Sequence, residues 1–142
     1  MNTEHGDQPY DFYEETRNYP RIHINLPITI YLDSERFITA SIYDISPDGL
    51  QVRCSRGVAA ALNPRGKRIK YEDNFIVNTK FTVPIEDEQH VVTVSCQIYY
   101  FVMLPDVEGE DIALGLKFKK FEGQSIRYIG GLIENELEPT VV

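Results

Sequence analysis

Residues 22 to 32 read IHINLPITIYL, and every second side chain is aliphatic: Ile22, Ile24, Leu26, Ile28, Ile30 and Leu32. Between them stand His23, Asn25, Pro27, Thr29 and Tyr31. A strict period of two over this length is the pattern of a strand with one face in a core and the other in water. Pro27 falls on the outer face and has no N–H for a ladder, which predicts an edge position or a bulge at that point.

Downstream the same period recurs. Phe37 to Ile45 predicts a second strand, with Ile38, Ala40 and Ile42 in phase until Asp44 occupies the next core position. A carboxylate there forces the phase to break near Tyr43, and a β-bulge is the usual device. SPDG at 46 to 49 reads as a turn, with Pro second and Gly fourth. Leu50, Val52 and Cys54 give the inward face of a third strand, and Phe81, Val83 and Ile85 of a fourth. Val92, Val94, Cys96, Ile98, Tyr100 and Val102 mark a long fifth, and Ile112, Leu114, Leu116 and Phe118 a sixth. Residues 55 to 74 read as a long loop in which Val58 to Leu62 offers at most a helical turn. Six alternating strands without intervening helices imply an antiparallel barrel or sandwich. The period then changes: Ile126, Ile129, Ile133 and Leu137 are spaced for a helix, with Gly130 and Gly131 reading as a close approach to the sheet.

At 142 residues, 42% hydrophobic and 25% charged, the chain fits one globular domain. Residues 1 to 21 read as a flexible arm, 22 to 138 as the folded domain and 139 to 142 as a tail. No apolar run is long enough for a membrane span, and MNTEHGDQPYDFYEE has neither the basic region nor the apolar stretch of a signal peptide. A cytoplasmic address is the default expectation. A net charge of −8 argues against DNA binding, which draws on clustered Lys and Arg. The basic run RGKRIK at 65 to 70 reads as a solvated loop. Cys54 and Cys96 have neither zinc nor disulfide spacing and read as buried thiols, and His5, His23 and His90 are scattered, so no metal site and no catalytic set is expected.

Two short motifs remain. TRNYPR at 16 to 21 places Arg17 and Arg21 four apart, but Pro20 excludes a helix there, leaving an extended or turning segment that carries two guanidiniums. YDISPDG at 43 to 49 places Asp44, Ser46 and Gly49 in the spacing D-x-S-x-x-G. Alone, the second motif is an ordinary turn, since Asp and Ser bond their own backbone and Gly supplies positive φ.

Together, R-x-x-x-R before the first strand and D-x-S-x-x-G on the hairpin of strands two and three resemble the paired signature of the PilZ domain family. The likeness runs from Arg17 to Leu137, and LGLKFKKF at 114 to 121 is similar to that family's last strand. The resemblance implies a six-stranded antiparallel β-barrel with a C-terminal helix, a non-catalytic single-domain protein, and binding of cyclic di-GMP, a bacterial second messenger. The implied ligand residues are Arg17, Arg21, Asp44, Ser46 and Gly49. Guanidiniums pair bidentately with phosphate or with the O6/N7 edge of guanine, a carboxylate accepts from guanine N–H groups, and a hydroxyl serves either. Arg53 on the third strand is a candidate further contact, with Arg56 nearby. Relatives that bind a stacked nucleotide dimer carry an additional Arg just before the first motif, where this chain has Thr16, which points to one bound molecule.

No cofactor is implied beyond that ligand, and with no attached output domain in the sequence an unidentified protein partner is expected. The alternative reading is a PilZ-like interaction module that does not bind the nucleotide, but such a module has no use for both motifs together.

Overall fold

The alternation at Ile22–Tyr31 builds strand β1 of a computed structural model that describes residues 21–66, 68–105 and 109–137. β2 (Phe37–Ile45) and β3 (Gly49–Cys54) follow as hairpin partners, and a helix α1 (Arg56–Leu62) and a short 3-10 turn (Tyr71–Asp73) precede β4 (Phe75–Ile85). β5 (Glu88–Met103), β6 (Ile112–Phe121) and helix α2 (Ser125–Leu137) complete the chain. The strands close into an antiparallel barrel in the order β1-β2-β3-β6-β5-β4. The barrel, rather than a sandwich, removes the exposed edges that six strands otherwise leave.

The core is the inward face of every strand: Ile28 and Ile30 of β1, Ile38 to Ile45 of β2, Leu50 to Cys54 of β3, and their equivalents on β4 to β6. Both thiols are buried among them. One polar side chain in this interior, Thr79, resolves its hydroxyl by donating to the Val94 carbonyl at 2.9 Å. A buried Thr in place of an aliphatic residue explains why the first half of β4, from Phe75 to Lys80, is not read from the alternation.

Three expectations are corrected. The segment 55 to 74 is not all loop: Ser55 caps α1 by accepting from the Val58 N–H at 3.2 Å, and Ala59 and Leu62 turn inward. Tyr100 and Val102 do not continue the inward face of β5. The β5·β6 register slips between Ile98 and Tyr100, so Tyr99 and Tyr100 both face outward and Phe101 packs on the core. In α2, Ile129, Leu132 and Ile133 are buried, but Ile126 is 58% exposed and lies along an apolar groove with Pro47 and Phe121. A Cβ on Gly131 would sit 3.4 Å from the Ile85 tip, whereas Gly130 has open space beside it, so only Gly131 lies close against the barrel.

Pro27 is tolerated because β1 pairs with β4 only at Thr29, Ile30 and Tyr31, so its missing N–H costs no bond on that side. The bulge expected near Tyr43 is present as a register shift between Ile42 and Asp44. No helix among the described residues is long and apolar enough to cross a membrane.

Candidate functional site

The pairing of β1 with β2 brings together the two ends of the sequence motifs. His23 pairs with Asp44 and Ile22 with Ile45, so Arg21, at the foot of β1, lies beside the β2–β3 turn. Its guanidinium reaches the Asp44 carboxylate at 2.7 Å across 23 residues of chain. The two side chains retain only 17% and 15% exposure, so their attraction is less screened than that of a surface pair. Asp44 can take part because the bulge turns Tyr43 and Asp44 outward in succession, leaving Ile45 to resume the core.

The turn itself is shaped from within. The Ser46 N–H donates to the Gly49 carbonyl at 2.9 Å, and the Ser46 hydroxyl accepts from the Asp48 N–H at 3.2 Å. Ser46 is buried, so this hydroxyl fixes the loop. The Asp48 carbonyl accepts from the Phe118 N–H at 2.9 Å, tying the turn to β6. Gly49 is needed for another reason than positive φ, since its backbone is not left-handed. A Cβ here would fall 2.1 Å from the Leu116 carbonyl oxygen, so only glycine allows the turn to lie this close to β6.

Arg21, Ser46, Asp48 and Gly49 line one small cleft together with Tyr99, Leu116 and Lys117. It presents one guanidinium, one ammonium, one carboxylate and one phenol ring around a buried hydroxyl. That set matches an anion that also offers flat, hydrogen-bonding surface. Among the described residues no group of three His, Cys, Asp or Glu side chains could hold a metal ion.

A family model described as PilZ domain matches residues 15–135. The chain belongs to the PilZ domain family. PilZ domains form a family of cyclic di-GMP receptors and are typically non-catalytic binding modules. No curated protein matches the chain in sequence. Solved structures share the PilZ fold at low identity. The Bacillus subtilis inhibitor of motility MotI/DgrA superposes with a TM-score of 0.63 at 16% identity, over 87% of this chain and 52% of that one. PlzA of Borreliella burgdorferi, determined in complex with c-di-GMP, gives 0.56 at 14% identity over 96% of this chain and 58% of its own. The PilZ domain of CeSA from a cellulose-synthesizing bacterium gives 0.50 at 12% identity over 84% of this chain and 99% of its own. The chain thus spans little more than half of MotI/DgrA and of PlzA.

Of the residues singled out in the PilZ signature, Arg21, Asp44, Ser46 and Gly49 are brought together at the turn. Arg17 and Thr16 lie outside the described residues. Arg53 is placed elsewhere on the outer face: its guanidinium lies over the Tyr43 ring at 3.7 Å from the centroid and its Nε donates to Gln51 Oε1 at 2.8 Å. Arg56 opens α1 and pairs with Asp111 at 2.8 Å, away from the cleft. Tyr99, Asp48 and Lys117 were not read from the sequence as site residues. The only signal for Tyr99 is the doublet Tyr99–Tyr100, two consecutive aromatics in a strand of strict alternation.

Proposed function

We propose that this PilZ domain is a cyclic di-GMP receptor that binds the nucleotide through Arg17, Arg21, Asp44, Ser46 and Gly49. The observation that carries the reading is that Arg21, paired with Asp44, lines one cleft with Ser46, Asp48 and Gly49. Sequence spacing alone does not require two motifs 23 residues apart to meet. That PlzA, which shares the fold, was solved with c-di-GMP adds support at the level of the fold.

In this reading Arg21 engages a phosphate or a guanine edge, and Asp44 and the turn take the hydrogen-bonding edge of a base. Arg17 lies four residues earlier, within about 14 Å of extended chain, which is short enough for both arginines to serve one ligand. Residues 1 to 21 hold few aliphatic side chains with which to offset the entropy of ordering, so two phosphates gripped by both arginines fasten the arm across the outside of the barrel. Tyr10, Phe12, Tyr13 and Tyr19 then form a surface for a protein partner, a disorder-to-order switch.

Calorimetric titration with cyclic di-GMP tests the binding. Amide hydrogen exchange with and without the nucleotide tests the switch: protection should rise at residues 16 to 22 and 44 to 50 and little in the distant strands. An arm already protected without nucleotide, and unaltered by it, leaves the switch without support.

A further inference from the structure

The motif residues supply charge and hydrogen bonds but no flat apolar face, and a guanine base has two such faces to cover. The cleft provides one. Tyr99 lines it together with Arg21, Ser46, Asp48 and Gly49. It gets there by a bulge: β5 carries one residue too many between Ile98 and Tyr100 relative to β6, and the extra residue is Tyr99. Bulges beside functional sites commonly re-aim a side chain in this way.

The surroundings hold the ring in place. Tyr99 meets Tyr100 edge to face, with centroids 5.0 Å apart and planes at 75°. Tyr100 is itself fixed from two sides. Its hydroxyl accepts from Gln51 Nε2 at 2.9 Å, and its ring lies against Gly115, where a Cβ would fall 2.2 Å from Tyr100 Cε2. Glycine at 115 therefore makes room for Tyr100, and Tyr100 braces Tyr99. The other outer-face tyrosine made prominent by a bulge, Tyr43, has its ring covered by the Arg53 guanidinium and does not line the cleft.

We infer that Tyr99 is the stacking platform for a guanine base of the bound nucleotide, positioned by the Gln51–Tyr100–Gly115 arrangement. The inference rests on the reading of the cleft as a cyclic di-GMP site. A pre-braced ring suits this role because little freedom is lost when the base arrives.

The test is titration of cyclic di-GMP into the full chain and into Tyr99→Leu, Tyr99→Phe and Tyr99→Trp, with circular dichroism confirming the fold. Loss of the ring in Tyr99→Leu should weaken binding by about tenfold, within the range for base–aromatic stacking. Phe and Trp, which keep a ring, should retain most of the affinity. In proton spectra of the wild-type complex, guanine H8 should move upfield by ring current, and this shift should vanish in Tyr99→Leu. Wild-type binding with an unchanged Tyr99→Leu affinity overturns the platform alone, as does equal weakening by Phe and Leu, which would assign the role to the hydroxyl. A folded wild type that does not bind the nucleotide overturns the site reading and the platform with it. Should Tyr99→Leu fail to fold, retained affinity in Phe and Trp with the wild-type H8 shift supports the platform, and an unshifted H8 overturns it.

Discussion

Arg21 holds Asp44 at 2.7 Å from the foot of the first strand, joining two motifs by an ion pair mostly shielded from water. Arg21→Ala removes a ligand group and leaves the Asp44 carboxylate without that partner. Affinity for cyclic di-GMP should fall by at least about 1.5 kcal/mol, the lower range for a charged hydrogen bond. Unfolding free energy should fall by about 1 to 2 kcal/mol, between the values for exposed and fully buried pairs. Arg21→Lys should restore more of the stability than of the affinity, because an ammonium cannot make the bidentate contact. Calorimetry and urea denaturation separate the two effects, and equal recovery of both by Lys would argue against a bidentate role.

Gly49 lies so close to β6 that a single methyl group must displace backbone. Gly49→Ala should cost about 1 to 3 kcal/mol of stability, as overpacking does elsewhere. Gly57, beside which the nearest atom to an added Cβ is 3.9 Å away, is the control and should accept Ala without loss. Thermal unfolding of the two variants side by side checks this, and an unperturbed Gly49→Ala would mean that β6 yields.

The two core thiols should be silent toward aromatic disulfide reagents in the native state and react on unfolding. Burial pushes Cys96 up to about 12 and Cys54 up to about 11, the latter with help from the Glu110 and Asp111 carboxylates. Since the folded state holds both protons more tightly, their contribution to stability is complete below the ordinary thiol value of 9.0 and is lost as pH rises through 11 to 12. Cys96→Val keeps the volume and removes one ionisation, so its unfolding midpoint should decline less steeply than wild type over that window.

Thr16 sets the expected stoichiometry. One cyclic di-GMP per chain should bind to wild type, and Thr16→Arg should raise the number to two. Titration against protein of known active concentration decides this, and two per chain in the wild type would refute it.

How far these features were legible in the sequence depends on what broke the alternation. Asp44 broke it visibly, because a carboxylate at a core position has no satisfactory place, and the bulge beside Tyr43 followed. The bulge at Tyr99 passed unread because tyrosine is acceptable on either face, so Tyr100 extended a run of inward residues that the backbone had already abandoned. Thr79 hid the start of β4 for the converse reason: a polar residue took a core position and satisfied itself on the Val94 carbonyl. The cleft was half legible. Its motif wall follows from spacing, whereas Tyr99 and Lys117 reach it only through the pairing of β3 with β6 and of β6 with β5, which local sequence does not encode.

The barrel's closure is uneven, with three paired positions joining β1 to β4 where eleven join β4 to β5. From Ile22 to Ile28, β1 among the described strands is fastened along one margin only, to β2, and a register slip interrupts even that side. Arg21 stands directly before this half-strand, and its ion pair with Asp44 is a further tie from β1 to β2. The pair is thus a side-chain clasp placed where the backbone ladder of the barrel is thinnest.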